Sequence, residues 1–269
     1  MKFIIISSKK DIAGMNIADC LIRSFPFKEE RKSIYSLKHS DKEISLHIIE
    51  EDSIYYDKAN ELDADYFIFA SRHVSKNNDK ALTIHFPGNF SDAKYGGQDN
   101  ELCVAATCLL KQAFINLNNT AKDSEYNITL EATHHGPLLK KPVMFIELGS
   151  TIQEWKDKAA AELLARTIMK TISEYEKKAY ETAICFGGLH YCQNFKEIIL
   201  NENTAFGHIC PKYNLGNINE SMIMKMINAS DLPITYALLD WKGITGEEKQ
   251  KLVAILEKLN IPWKKTKDA

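Results

Sequence analysis

The stretch VMFIELGSTIQEW, residues 143–155, decides the fold of this chain. Its first half, residues 143–148, is apolar except for Glu147, which is typical of a strand covered on both faces. Thr151 and Glu154 then match a capping box, and an apolar stripe at helical spacing continues to Tyr175. The stretch therefore predicts a buried strand that leads through a glycine turn into a helix over residues 151–175.

The same pattern extends outward from this stretch in both directions. Further apolar, β-branched runs are predicted strands, at residues 3–6, 44–49, 66–69, 82–85, 126–130, 182–186, 206–209 and 234–239. Further helices are predicted over residues 12–23, 101–115, 218–227 and 245–259. Strands that alternate with helices predict an α/β sandwich with a largely parallel or mixed sheet. We expect a single domain over residues 1–269, with two closely packed lobes as the alternative.

Composition limits the classes of function. The net charge is −2, with 45% hydrophobic and 26% charged residues, which is typical of a globular domain and argues against a general polyanion binder. The apolar run at residues 3–6 is too short for a signal peptide or a membrane span, and the six cysteines form no CxxC pair. We therefore expect a reduced, cytoplasmic protein. The sequence also contains no P-loop, GxGxxG, HExxH or GxSxG motif, which argues against the enzyme classes that use them.

Histidines recur where predicted strands end. This set comprises His73, His85, His134, His190 and, within a strand, His208, for which a core role competes with a ligand role. Imidazole titrates near neutral pH and binds zinc, so the set predicts one pocket that works with a metal or by histidine chemistry alone. Because side chains alternate along a strand, only one of His134 and His135 is expected to reach the pocket, unless the chain turns at Gly136-Pro137.

Glycines and a carboxylate flank these histidines. Glu147 lies in a buried strand, where a carboxylate needs a partner, and it could orient a histidine or accept an amino group. The Gly149-Ser150 turn leads into a helix N-terminus, whose free N–H groups suit an oxyanion, although Ser150 could also serve only as a cap. Gly187 and Gly188 precede His190 and permit close approach of a ligand to the backbone.

An ordered series of motifs spans most of the chain and resembles the archaeal and plant type of D-aminoacyl-tRNA deacylase. The matching segments are Ser71-Arg72-His73, His85-Phe86-Pro87-Gly88-Asn89, Tyr95-Gly96-Gly97, Glu131-Ala132-Thr133-His134-His135-Gly136-Pro137, Glu147-Leu148-Gly149-Ser150, Gly187-Gly188-Leu189-His190-Tyr191 and Gly207-His208. One such motif would be unspecific, whereas their common order is specific.

The resemblance implies hydrolysis of the ester between a D-amino acid and the 3′-terminal ribose of tRNA. It also implies zinc as cofactor, no membrane partner, and a three-layer α/β/α fold of the phosphorylase/hydrolase-like kind, similar to peptidyl-tRNA hydrolase. A monomer is expected. Catalytic roles are predicted for His134, His135 and Glu147. Zinc ligands are predicted among His85, His134, His190 and His208. Substrate contacts are predicted for Arg72, His73, Asn89, Gly149, Ser150 and Gly188, with Lys140 and Lys141 as a local basic patch for tRNA.

Two other readings stay open on the residues alone. A zinc-dependent peptidase or amidase on small substrates could use the same histidines and glutamates as ligands. A non-catalytic module that binds nucleic acid or a metabolite would need its histidines only for structure. The first predicts turnover of acylated amino acids or peptides, and the second predicts binding without turnover.

Overall fold

A computed structural model describes residues 1–268, which contain one sheet of eight strands and one of four. The strands of the large sheet are β1 (Lys2–Ser8), β2 (Lys28–Arg31), β3 (Ile34–His39), β4 (Lys42–Ile49), β5 (Tyr66–Val74), β6 (Ala81–His85), β7 (Asn127–Leu130) and β8 (Val143–Ser150). Their spatial order is β2-β3-β4-β1-β5-β8-β6-β7. The small sheet holds β9 (Glu181–Phe186), β10 (Thr204–Cys210), β11 (Tyr236–Leu239) and β12 (Trp263–Lys265), in the order β10-β9-β11-β12.

Seven α-helices accompany the strands. They are α1 (Ile12–Ser24), α2 (Thr107–Thr120), α3 (Ile152–Trp155), α4 (Lys158–Glu174), α5 (Gln193–Asn201), α6 (Glu220–Asn228) and α7 (Gly246–Lys258). The predicted α/β class with a mixed, largely parallel sheet is confirmed. None of the helices within residues 1–268 is long and apolar enough to cross a bilayer.

The large sheet changes direction at β8, and this change determines where polar side chains meet. β5 runs parallel to β8, whereas β6 runs antiparallel to β8 and parallel to β7. Thr83 and Ser71 are therefore the two cross-strand neighbours of Glu147. β6 and β7 therefore run in the opposite direction to β5 and β8, and β6 ends at His85, which pairs with Phe145 of β8.

Alternation along the strands separates the two faces of the large sheet. Phe3 and Ile5 belong to the core that includes α1, α2 and α4, whereas Ile4 and Ile6 pack on the other face against Phe69 and Phe145. The short 3₁₀ helices Ser53–Tyr55 and Asp57–Glu61 lie on this second side. Since Phe69 and Phe145 share a face with Ser71, His73 and Glu147, the polar cluster lies opposite the main helical layer.

The small sheet is wholly parallel and forms its own core with α6 and α7. Backbone hydrogen bonds join the two sheets next to the histidines: Ala132 N–H donates to His190 O (2.9 Å), and Thr133 N–H donates to Ile209 O (3.0 Å). These bonds bring the segment after β7 against the segment after β9 and against β10 itself, so residues from both sheets contribute to one site.

All nine predicted strands are present, whereas two of the predicted helices need correction. The helix expected over residues 151–175 is interrupted, because the side chain of Asp157 accepts hydrogen bonds from Ala159 N–H and Ala160 N–H and starts a new helix. The helix expected from residue 101 begins at Thr107, since Ala105 forms extended β-bridges to Val143 and Ser230. The sequence argument did not identify β2, β3, β12 and α5.

All six cysteines are buried and carry free thiols.

Candidate functional site

Five imidazoles and two carboxylates converge on the face of β8. We call this group the histidine–glutamate centre; it consists of His73 (β5), His85 (β6), His134, His135 and Glu131 (after β7), Glu147 (β8) and His190 (after β9). His85 lies centrally, with its ring centroid 4.2 Å from that of His134 and 4.9 Å from that of His135. Of these side chains only His190 is substantially exposed, at 39%.

His134 and His135 both point into the centre because the chain turns between them. His135 has φ of +46°, outside the extended region, so the alternation expected for a strand does not hold there. The two rings lie 4.4 Å apart. The turn is held in place by Gly136, whose N–H donates to Tyr95 O (2.9 Å) and which packs directly against Gly96 and Gly97.

The same orientation recurs for three of the imidazoles. Nδ1 of His134 donates to Ala132 O (2.8 Å), and Nδ1 of His135 donates to Gly136 O (2.6 Å), because a carbonyl oxygen can only accept. Nδ1 of His85 faces the Glu131 carboxylate at 3.3 Å. Each ring therefore turns its Nε2 inward, and Nε2 of His85 lies 3.2 Å from Nε2 of His135.

The pKa values of His134 and His135 favour neutral rings. Burial lowers the pKa of His135 to about 4, with a further contribution from His85. Burial also holds the pKa of His134 well below its ordinary value, again helped by His85. A neutral imidazole whose Nδ1 carries the proton has a free lone pair on Nε2, which is the form that binds a metal or accepts a proton.

Glu131 is the carboxylate that touches most of the centre. It is fully buried, with Oε1 2.9 Å from Nδ1 of His73 and 3.3 Å from Nε2 of His190. None of its contacts to the imidazoles has good hydrogen-bond angles, so both carboxylate oxygens are buried without a hydrogen-bond partner. Burial alone would raise the pKa of Glu131, but the contacts from His190, His73 and His85 outweigh it and hold this pKa well below its usual range.

The pKa of His73 is shifted in the opposite direction to those of His134 and His135. Burial lowers its pKa, but Glu131 and Glu147 outweigh burial and raise the pKa to about 11. As an imidazolium it donates through Nε2 to the hydroxyl of Tyr191 (2.7 Å) and directs Nδ1 at Glu131. Glu147, in turn, accepts a hydrogen bond from the Ser71 hydroxyl (2.6 Å). With both ring nitrogens protonated, His73 has no lone pair for a metal.

Three overlapping groups of side chains could hold a metal ion, since their ligand atoms lie within 4.8 Å of one another. They are His85 with His134 and His135, Glu131 with His134 and His190, and His73 with Glu131 and Glu147. The first group has the inward-facing Nε2 atoms described above. The third group includes the His73 cation, which makes it the least suited to a second positive charge.

His208, predicted as a metal ligand, lies outside all three groups. Its Nε2 donates to Cys103 O (2.8 Å) and Ala229 O (3.1 Å), and its Nδ1 accepts from the Thr133 hydroxyl (3.1 Å). Both ring nitrogens are therefore used within the core. The prediction of His208 as a metal ligand is therefore withdrawn. Its hydrogen bond with Thr133 holds the segment that carries His134.

Several residues expected at the substrate are engaged in structural contacts. The Asn89 amide donates to Gly96 O (2.9 Å) and so supports the loop behind Gly136. Gly149 pairs with His73, and a methyl group there would lie 2.4 Å from His73 O. The Ser150 hydroxyl donates to Asp79 O. Asn89, Gly149 and Ser150 therefore contact neighbouring backbone segments.

The predicted basic residues lie apart from the cavity that reaches the centre. The Arg72 guanidinium forms an ion pair with Asp52 at 2.9 Å. Lys140 lines a separate cavity of about 590 Å³, together with Asp57 and Asn60. Neither Arg72 nor Lys140 lines the cavity that contains His190.

A cavity of about 690 Å³ opens over His190 and Tyr191. Gly188, Asn194 and the half-exposed Tyr213 line it, and the exposed side chains of Val74 (64%) and Leu189 (61%) form part of its wall. Since His190 also touches Glu131, a ligand in this cavity reaches the centre directly. Of the two glycines predicted to contact the substrate, Gly149 and Gly188, only Gly188 lines the cavity.

Sequence reasoning did not assign roles to Glu131 and Tyr191, although a signal was present. Glu131 ends a buried strand three residues before His134, and Tyr191 directly follows His190. A carboxylate that closes an apolar run needs a charged or hydrogen-bonding partner, as was argued for Glu147. The same argument would have identified Glu131.

The fold and the site define an α/β enzyme of the hydrolase type, because buried neutral imidazoles, paired carboxylates and an adjoining cavity are the groups that water activation requires.

Comparison with known proteins identifies the family. Residues 60–264 match the sequence profile of the D-aminoacyl-tRNA deacylase family. The D-aminoacyl-tRNA deacylase of Methanocaldococcus jannaschii is 35% identical over 98% of this chain and 100% of its own length. That of Pyrococcus abyssi is 35% identical over 97% of this chain and 98% of its own.

Structural comparison agrees with the sequence match. A crystal structure described as a conserved protein of unknown function, AF0625, superposes with a TM-score of 0.88 at 30% identity, covering 99% of this chain and 95% of the other. The chain belongs to the D-aminoacyl-tRNA deacylase family.

Proposed function

We propose that this chain, a D-aminoacyl-tRNA deacylase, cleaves the ester between a D-amino acid and tRNA at the histidine–glutamate centre, with zinc held by His85, His134 and His135. The products are free tRNA and the free D-amino acid. One observation carries the assignment: Nδ1 of His134 and of His135 donates to a backbone carbonyl, Nδ1 of His85 lies 3.3 Å from the Glu131 carboxylate, and one ligand atom of each ring lies within 4.8 Å of the others. Oxygen acceptors behind Nδ1 fix ring orientation and favour the Nε2 lone pair in histidine metal sites.

The donor set fits zinc on two further counts. Two nitrogen ligands on one tetrahedral zinc ion lie about 3.3 Å apart, and Nε2 of His85 lies 3.2 Å from Nε2 of His135. Burial keeps His134 and His135 neutral, as ligands must be. When bound, zinc supplies Lewis-acid activation of water and of the ester carbonyl.

The remaining residues of the centre manage charge and protons. Glu131 orients His85 and lies between His73 and His190. His190 is half-exposed on the cavity floor and touches Glu131, so it is placed to pass a proton to the departing ribose oxygen. The His73 cation offsets one of the two negative charges of Glu131 and Glu147.

Separate His134→Ala and His135→Ala variants test the proposal by single-turnover hydrolysis of D-tyrosyl-tRNA. Loss of one zinc ligand should lower the rate by at least about a hundredfold and reduce the bound zinc. His208→Ala is not a suitable control, because it removes hydrogen bonds in the core. His39→Ala is the matched control, because His39 lies at the exposed end of β3. Near-native rates in both centre variants would exclude the assignment.

Metal dependence separates zinc chemistry from histidine chemistry. Protein of measured zinc content should hydrolyse D-tyrosyl-tRNA and spare L-tyrosyl-tRNA, lose activity after chelation, and regain it when zinc is returned. Full activity in metal-free protein would assign water activation to the imidazoles alone. Turnover of peptides in place of aminoacyl-tRNA would favour the amidase alternative.

A further inference from the structure

A group of lysines and stacked tryptophans lies at the carboxyl end of the small sheet. We call it the lysine–tryptophan surface; it consists of Trp241, Lys242, Lys249, Trp263 and Lys265. The rings of Trp241 and Trp263 stack with centroids 5.7 Å apart and planes 6° from parallel. The Trp241 centroid lies 4.4 Å from Nζ of Lys265 and 5.1 Å from Nζ of Lys249. Two consecutive elements, α7 and β12, thus each place a lysine beside one aromatic pair.

The charges of this surface are not neutralised by neighbouring carboxylates. Within residues 1–268, Lys242, Lys249 and Lys265 form no salt bridge, whereas the adjacent Lys264 pairs with Glu181 at 3.4 Å. Lys242 is exposed, and both tryptophans are partly exposed. Unpaired lysines beside partly exposed aromatic side chains are the combination that binds phosphates and bases of single-stranded nucleic acid.

This surface and the cavity over His190 both adjoin the carboxyl ends of strands of the small sheet. β9, β11 and β12 are parallel neighbours, so their carboxyl ends lie side by side, and two strand spacings amount to about 10 Å. β9 leads into Gly188, which lines the cavity, and β11 leads into Asp240 and Trp241. Asp240 accepts a hydrogen bond from the Asn194 amide (2.8 Å), a second residue of the cavity wall.

We infer that the lysine–tryptophan surface binds the single-stranded acceptor end of tRNA and guides it into the cavity over His190. The inference rests on the proposed function, since it takes tRNA as the substrate. Phosphates of the acceptor end lie against Lys242, Lys249 and Lys265, and a base stacks beside Trp241. The arrangement explains how a chain of net charge −2 binds a polyanion: the unpaired cations are concentrated beside the cavity.

The experiment compares two charge-reversed variants, Lys249→Glu/Lys265→Glu and, as a matched control, Lys32→Glu/Lys38→Glu on the β2–β3 hairpin at the far edge of the large sheet. Binding of tRNA that carries no amino acid is measured by fluorescence anisotropy over a series of salt concentrations. Deacylation of D-tyrosyl-tRNA is measured by steady-state kinetics. Thermal denaturation checks folding, and Lys249→Gln/Lys265→Gln replaces the test variant should the glutamates disturb it.

The Lys249/Lys265 variant should raise Kd and KM on the order of tenfold, with kcat at saturation unchanged, and flatten the salt slope by about 1.5. The control should match the wild type in each. An unchanged Kd and salt slope in the Lys249/Lys265 variant would overturn the inference, even if deacylation is intact. If the wild type binds tRNA through these lysines but does not deacylate it, the proposed function fails while the inference stands.

Discussion

Glu131 offers the sharpest perturbation of the centre, because one buried carboxylate touches three imidazoles. In Glu131→Gln the side chain keeps its size but loses its charge, and the His73 cation is left with Glu147 at 3.5 Å as its remaining carboxylate. Removing one partner of a buried ion pair costs about 3–5 kcal/mol, since the other charge stays desolvated. In a chain of this size we expect the melting temperature to fall by about 10 °C.

The same substitution should weaken zinc binding. Nδ1 of His85 faces Glu131 at 3.3 Å, and loss of such an orienting partner typically reduces metal affinity by about 10–100-fold. Chemical denaturation measures the free energy of unfolding, and competition with a fluorescent chelator measures the zinc affinity. Glu125→Gln is the matched control, because Glu125 forms only an exposed pair with Lys80, for which about 0–1 kcal/mol is expected. A Glu131→Gln protein within 1 kcal/mol of wild type and with unchanged zinc affinity would refute this account of the centre.

Three further predictions concern other parts of the structure. Lys111→Met should lower the free energy of unfolding by about 2–4 kcal/mol in urea denaturation, because the buried Nζ donates to the carbonyls of Ile199, Glu202 and Thr204 at 2.7–3.0 Å; exposed Lys122→Met should change little. Burial raises the pKa of Asp11 to about 6, so the folded state holds a proton that the unfolded chain releases near its ordinary pKa of 3.8. The resulting contribution to the free energy of unfolding is complete below pH 3.8 and is lost as the pH rises to about 6. Asp11→Asn should abolish this dependence of the free energy of unfolding on pH. Gly136→Ala should lower deacylation by more than about tenfold, because its methyl group would lie 2.3 Å from Gly97 N and 2.5 Å from Ile54 O, whereas Gly216→Ala, where a methyl group meets open space, should be near-native in rate assays.

Local patterns in the sequence were sufficient for most of the fold. Apolar runs identified nine strands, and both capping boxes mark true helix starts, at Thr151 and Thr245. These signals act within a few residues, so neighbouring side chains encode them directly. The helix break at Asp157 was missed because an apolar stripe continues across it. The edge hairpin was missed because the residues of β2 are all charged and exposed and those of β3 are at most partly buried.

The candidate site was predicted in its residue types more than in its arrangement. His85, His134, His135 and His190 do lie together, in overlapping groups that include Glu131, as the recurrence of histidines at strand ends indicated. The sequence could not show that His135 takes a left-handed conformation, which brings both adjacent rings inward. Nor could it show that His208 would use both nitrogens in the core, since its acceptors Cys103 O and Ala229 O are distant in sequence.

The sequence by itself determined the α/β class, the family resemblance and the presence of imidazole chemistry, because hydrophobic period, capping residues and motif order are all local properties of the chain. Only the tertiary structure decided which side chains meet. The reversal of β6 and β7 against β8 places His85 and Glu131 over Glu147, and the parallel order of β9, β11 and β12 places Lys265 beside Trp241. Strand order and direction arise from packing between distant segments, which the local patterns of one sequence do not encode.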